Sequence, residues 1–461
     1  MKQIAINVIL VALVSLLGCT KRDISELQEL KYPSKPEVFL DDFAGGMLYA
    51  AFGGSDVRAM NVDNTVGYRN SAASLRIDVP NANSPQGAFA GGVFYSPGGR
   101  DLSGFNALTF YVKGSQSADI GLIGFGNDLG ENKYVVSQGN LPISTGWTKV
   151  VIPIPDPSKL VGEKGLLWFA AGAIEEKGFT FWIDEAKFEK LGTVGRGPAN
   201  ILNGNNVTQR TFVGVNTNLT GLTAIFNLPT GVNQAYNVSS AYYEFKSSNP
   251  SVATVDENGL VRSISAGTAV ITATLGGVAA RGSLTINCVG NFVHAPVPTL
   301  PQSNVISIFS DAFTNVPVNY FNGYWAPWQT TTSNDFTVNG DNVLNYNNFN
   351  FVGIEFSSPT VNATAMTHFH MNVFFPDAIA PGRQLRVIVV DFGPDGVFGG
   401  GDDTRHSTTF TAPFLVTQRW LTINIPFTAM PGLTRRNNLA QIILEGGDGT
   451  SLYVDNIYFW R

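Results

Sequence analysis

Along most of this chain apolar and polar residues alternate. Leu108, Phe110 and Val112 are interleaved with Thr109 and Tyr111, and Phe369, Met371 and Val373 with His370 and Asn372. A period of two is that of a strand with one buried face. No long stretch keeps a 3.6-residue period, and the alternating runs are cut by glycine, proline and asparagine. The pattern predicts an all-β protein of short strands joined by turns.

Three landmarks occur twice in the same order. Phe39-Leu40-Asp41-Asp42-Phe43 returns as Phe309-Ser310-Asp311-Ala312-Phe313, an offset of 270. Trp147 with Pro153 returns as Trp420 with Pro426, an offset of 273. Residues Phe181 to Phe188 return as Leu452 to Phe459, an offset of 271. Such agreement predicts two copies of one domain, at 36–191 and 304–461. About 155 residues of short strands per copy suits a jelly-roll β-sandwich whose first and last strands lie side by side.

Between the copies the pattern changes. Ser247 to Asp256 leads into Asn258-Gly259, a tight-turn signal, and then into strands from Ala266 to Ala273 and from Gly282 to Ile286. This run resembles the bacterial Ig-like group 2 domain. The resemblance implies an Ig-like β-sandwich over 200–288, a module that mostly serves as a spacer. The expected architecture is therefore two jelly-roll sandwiches separated by an Ig-like one. The stretch from Val293 to Pro301 is proline-rich, which predicts an extended, semi-rigid linker.

The N-terminus carries a different signal. Lys2 precedes a nearly apolar run from Ile4 to Leu17, followed by Gly18 and Cys19. That is the layout of a secretory signal peptide over residues 1–18, and a run of fourteen residues is too short to span a bilayer comfortably. Leu16-Leu17-Gly18-Cys19 resembles the lipobox of bacterial lipoproteins. The resemblance implies lipidation at Cys19, a tether over 19–35, and localisation at the outer membrane, exposed on the cell surface. The second cysteine, Cys288, is expected as a lone thiol at a strand end, with no disulfide to Cys19.

Composition narrows the partners. Only 14% of residues are charged, the formal net charge is −6, and no lysine–arginine cluster occurs. Nucleic acid is excluded on those grounds, and neutral glycans fit better. No phosphate loop, dinucleotide fingerprint, zinc-protease helix or nucleophile elbow is present.

The opening Asp-x-Phe strand, the Trp-x5-Pro strand and the closing aromatic-x-Asp strand together resemble the galactose-binding-like sandwich of carbohydrate-binding modules. In the C-terminal copy, Asn322 to Trp328, Thr367 to His370 and Asp391 to Asp403 resemble modules of Bacteroidetes lipoproteins that use β-glucan. The resemblance implies non-catalytic binding of a β-glucan such as laminarin beside a TonB-dependent transporter and its glycan-binding lipoprotein. A β-glucan hydrolase and an adhesin are the alternatives.

Sugars present apolar C–H faces, so aromatic loops are the first candidates. Six of the nine residues from Tyr320 to Trp328 are aromatic or proline. Tyr320, Tyr324, Trp325 and Trp328 are the expected platform, unless one tryptophan caps the sandwich. His368 and His370 share one strand face, where they could bind ligand, hold a metal or simply be polar. In the N-terminal copy Tyr49, Phe52, Tyr68 and Arg69 are loop candidates. Trp147, Trp420, Trp182 and Tyr453 recur on strands and are expected to pack.

Asp41, Asp184, Asp311 and Asp455 recur where first and last strands meet. They would hold a structural Ca²⁺ or serve as turn acids. Asp391, Asp395, Asp402 and Asp403, among five glycines, could likewise wrap a cation or form a solvated turn. Hydrolysis of a glycoside needs two facing carboxyls, and Glu355, Glu445 and Asp448 read as scattered, so no catalytic residue is expected.

Overall fold

A computed structural model describes residues 31–461. The expected signal peptide, Cys19 and most of the expected tether lie outside the described residues. Apart from five single-turn 3₁₀ segments, all regular structure described is β-strand, and no described helix is long and apolar enough to cross a membrane. The chain forms two compact units, residues 31–197 with 224–242, and residues 198–223 with 243–461.

The two copies share one strand order. In the N-terminal copy one sheet runs Met60–Asp63, Ser74–Val79, Phe179–Glu189, Ala107–Gly114, Thr148–Pro153, with Glu37–Phe39 paired to Phe179–Glu189. In the C-terminal copy the matching sheet runs Asp341–Asn347, Leu452–Trp460, His368–Phe374, Trp420–Pro426, with Val305–Phe309 paired to Leu452–Trp460. Opening and closing strands are therefore neighbours in both copies, closing each sandwich. This sheet is called the closing sheet below.

The second sheet of each copy supplies the other wall of the core. In the C-terminal copy it runs Phe351–Glu355, Leu439–Glu445, Leu385–Asp391, Thr404–Phe410. Phe369, Met371 and Val373 point inward from one sheet, Val352, Ile354, Val387, Val389, Ile442 and Leu444 from the other, all fully buried. The alternation read from the sequence is thus the alternation of core and surface.

In the N-terminal copy the second sheet includes Phe89–Asp101, Val161–Gly172, Ala118–Phe125 and Val136–Ile143. Its edge is extended by Asn233–Val238, with Asn237 opposite Ser137 and Val238 opposite Val136. Tyr236, buried, donates its hydroxyl proton to the Val151 carbonyl at 2.7 Å. Residues 224–242, which fall within the expected Ig-like stretch 200–288, belong to the first compact unit.

The rest of the Ig-like module lies in the second unit. Asn206–Thr211, Ser283–Cys288, Gly267–Leu275 and Tyr243–Ser247 form one sheet, and Asn216–Asn218, Leu260–Ser263 and Ala253–Val255 the other. The Asp256 carboxylate accepts from the Asn258 and Leu260 amides at 2.9 and 3.0 Å, and Gly259 takes φ +75°. A side chain at that φ would be strained, which is why glycine ends this turn. Cys288 is buried and free at its strand end.

The linker after this module is not free-standing. Phe292 packs with Phe212 of the Ig-like module against Phe374 and Tyr453 of the C-terminal copy. The Trp420 indole N–H donates to the Val293 carbonyl at 2.6 Å. Ig-like module and C-terminal sandwich share one apolar seam.

Candidate glycan-binding cleft

Above the outer face of the second sheet of the C-terminal copy lies a cleft of about 870 Å³. Strand register builds its floor. Glu355 lies opposite Gln441, Gln441 opposite Val390, and Val390 opposite Arg405. Gly353, Ile443 and Ile388 form the next row, then Phe351, Glu445 and Arg386.

The Tyr320–Trp328 loop forms one wall. Its backbone is held by side-chain amides: the Tyr324 amide donates to Asn322 Oδ1 at 3.0 Å and the Trp325 amide to Gln329 Oε1 at 3.0 Å. Trp325 lies on Gly353, where a Cβ would stand 2.3 Å from Cη2 and Cζ2 of the indole. A Cβ on Gly323 would stand 2.3 Å from the indole nitrogen. Two glycines leave the space that this ring fills.

A polar chain ties the ring to the floor. The Trp325 Nε1–H donates to the Tyr320 hydroxyl at 3.3 Å, and that hydroxyl donates to Glu355 Oε2 at 2.7 Å. Gln441 and Ser357 donate to the same carboxylate at 2.8 and 2.7 Å. Burial opposes the charge on Glu355, but the bonds from Ser357, Tyr320 and Gln441 outweigh it and hold its pKa below the ordinary value. Burial and the bond to Glu355 push the Tyr320 phenol up to about 12, so it stays a donor. Glu445 is paired with Arg386 at 2.7 Å.

The glycine-rich acidic loop forms the opposite wall. Asp391 accepts from the Gly393 and Asn438 amides, Asp395 from the Val397 amide, and Asp403 from the Gly399 amide. These acids fold their own loop and set Phe398, 69% exposed, at the cleft rim. Asp403 Oδ1 is buried there without a hydrogen-bond partner.

Of the residues singled out from sequence, Tyr320 and Trp325 meet in the cleft. Tyr324 and Trp328 are on the same loop but do not line it, and are 57% and 74% exposed. His368 and His370 do not join them, because their strand belongs to the closing sheet; they stack on Trp460 and Tyr458 at 4.3 and 4.4 Å. Phe351, Glu355, Phe398, Arg405, Gln441 and Glu445 were not expected at the site. Only register across four strands collects them, apart from Phe398, whose place beside glycines was a usable signal.

The recurring acids meet donors. Asp41 accepts from Ser71 Oγ and the Ala72 amide at 2.9 and 2.6 Å. Buried Asp184 accepts from the Tyr68 and Glu185 amides, each at 2.7 Å. Asp311 accepts from the backbone and side-chain nitrogens of Asn342 at 2.6 and 2.7 Å. Burial first, then the charge of Asp341, push Asp455 up to about 7. Oxygens facing N–H groups are poorly placed for a cation, and among the described residues no three His, Cys, Asp or Glu side chains form a metal-binding group.

The family profile of the bacterial Ig-like domain matches residues 243–287. No curated protein sequence matches the chain. Among solved structures, a family 30 carbohydrate-binding module of a Clostridium thermocellum cellulosomal cellulase is similar at 20% identity, covering 35% of this chain and 96% of that one, with TM-score 0.24. A family 11 module from the same organism, in complex with a β-1,3-1,4-mixed-linked tetrasaccharide, is similar at 17% identity over 29% of this chain and 85% of its own, TM-score 0.23. The tandem CBM22 domains of Paenibacillus barcinonensis Xyn10C are similar at 12% identity over 94% and 98%, TM-score 0.21. At such scores these likenesses do not bear on what the chain binds. The chain is an all-β protein of sandwich modules, one of them a bacterial Ig-like domain.

Proposed function

We propose that this protein binds polysaccharide without cleaving it, in the cleft of the C-terminal copy. One observation carries the reading: an indole seated on Gly353 beside a row of polar side chains, within a cleft large enough for several sugar rings. Trp325 and Phe398 offer apolar faces to C–H groups, and Glu355, Gln441 and Arg405 offer hydrogen bonds to hydroxyls. The pair Glu355 and Glu445 does not suit hydrolysis. A glycosidase needs an acid with a raised pKa and a partner carboxyl roughly 5–9.5 Å away. Glu355 is instead held ionised. Glu445 lies four residues along the neighbouring strand from the partner of Glu355, a backbone separation of ~13 Å.

The resemblance drawn from the C-terminal copy makes the glycan a β-glucan such as laminarin. The lipobox supports a lipid tether through Cys19, and the resemblance to glycan-utilisation lipoproteins supports display at the cell surface in a glycan-uptake system. Native electrophoresis of the full chain in gels containing laminarin or mixed-linkage glucan tests this. Retardation is expected, and its loss in both Trp325→Ala and Phe398→Ala. Steady release of reducing ends from either glucan would establish a hydrolase instead, and unretarded migration in every glucan would remove the β-glucan reading.

A further inference from the structure

The closing sheets of the two copies have equivalent outward positions that are used differently. In the C-terminal copy Phe374, Trp420 and Tyr453 carry an apolar patch covered by Phe292 and Phe212. Their counterparts in the N-terminal copy are Lys113, Trp147 and Trp182. Register supports the match: Trp182 lies opposite Lys113 as Tyr453 lies opposite Phe374.

In the N-terminal copy all three are half-buried on the outer face. Phe110 and Val112 point into the core, so Tyr111 and Lys113 point out. The Lys113 ammonium lies 5.9 Å from the Trp147 ring centre and 5.5 Å from that of Trp182. Tyr68 stacks on Tyr111 at 3.6 Å, meets Trp147 edge-on at 6.0 Å, and carries the Arg69 guanidinium 5.1 Å over its ring. The result is a strip of four rings with two cations, neither of them in an ion pair among the described residues.

A dry protein contact does not suit this strip. Replacing Phe374 by lysine at the centre of the patch would strand a charge under any apolar cover. Aromatic faces interleaved with free cations suit a hydrated ligand with sugar rings and carboxylates, since rings stack on rings and ammonium or guanidinium groups bond carboxylates. The carboxylates bonded to the strip are held by neutral donors and leave both cations unpaired among the described residues: Asp63 accepts from the Trp182 indole and from Thr65, and Asp184 from the Tyr68 amide. We infer that the outer face of the closing sheet in the N-terminal copy is a second glycan site, selective for uronate-bearing polysaccharide through Lys113 and Arg69. It belongs to the other unit and does not rest on the reading of the cleft.

Titration calorimetry of the full chain with a hexamer of galacturonate at low salt tests this, with a laminarin hexamer as the neutral control. Binding is expected, weakened about tenfold by Lys113→Gln and roughly threefold by Arg69→Gln, restored in part by Lys113→Arg, and diminished by 0.5 M NaCl. Both positions are on the surface, and an unchanged melting temperature shows that the fold is kept. Trp325→Ala is expected to leave this binding intact while removing laminarin binding. The inference falls if the uronate hexamer does not bind, if Lys113→Gln leaves its affinity unchanged, or if Trp325→Ala abolishes it. Equal Lys113-dependent binding of the laminarin hexamer would overturn the uronate selectivity.

Discussion

The two sibling sandwiches share strand order and differ in which face they leave open. In the C-terminal copy the Phe374, Trp420 and Tyr453 end of the closing sheet is covered by Phe212 and Phe292, and the second sheet carries Glu355, Gln441, Val390 and Arg405 in one row beside a tryptophan. In the N-terminal copy one row of the second sheet reads Gly91, Ala170, Leu122 and Gly139. That row has no polar group to bond a hydroxyl, while the closing sheet of this copy keeps its aromatic strip uncovered. Pairing of strands is set by backbone and core, so it survives duplication. The outward-facing side chains are free to diverge, and with them the use of each face.

The largest expected effect separates the matching acids Asp184 and Asp455. An acid whose pKa is raised by folding contributes stability below its ordinary value of 3.8 and loses it as pH rises through the folded value, here about 7. Linkage puts the loss at up to about 4 kcal/mol for Asp455. Asp455→Asn should therefore gain on the parent protein in urea unfolding as pH goes from 5 to 8. Asp184→Asn should gain less, because burial raises that carboxyl too but three donors oppose the rise. A pH-independent difference for Asp455→Asn would break the contrast.

Second is the seam. Phe292→Ala should cost the second unit ~3 kcal/mol, since a buried ring among aromatics is lost. Trp147→Ala, on the open face of the other copy, should cost about 1 kcal/mol or less. Equal costs in denaturant titrations would show that both faces are equally buried in solution.

Third, Gly353→Ala should lower glucan affinity tenfold or more by lifting Trp325 off the floor, an overpacking effect of roughly 1–3 kcal/mol. Calorimetry with a laminarin oligomer reads this directly. Fourth and smallest, Trp328→Ala should change affinity about twofold, because its ring stands outside the cleft; a larger loss would extend the site along the loop.

The sequence carried the duplication because Asp41, Trp147 and Asp184 and their repeats hold positions set by the core and by strand ends. It carried the aromatic loop because Trp325 and Trp328 between glycine and proline are conspicuous. It did not carry the floor of the cleft. Glu355, Gln441 and Arg405 are separated by dozens of residues and meet only through pairing across three strand boundaries. Nor did it separate Tyr320 and Trp325, which line the cleft, from Tyr324 and Trp328, since local pattern does not say which way a loop faces. The pair His368 and His370 showed alternation correctly, but alternation leaves open which sheet a strand joins.

One feature of the chain path constrains any attempt to divide this protein. Because 224–242 complete the first unit while the residues on either side belong to the second, no single cut yields both units whole. A fragment ending near residue 200 would expose the free backbone edge of Val136–Ile143 and the groove that holds Tyr236, inviting self-association through that edge.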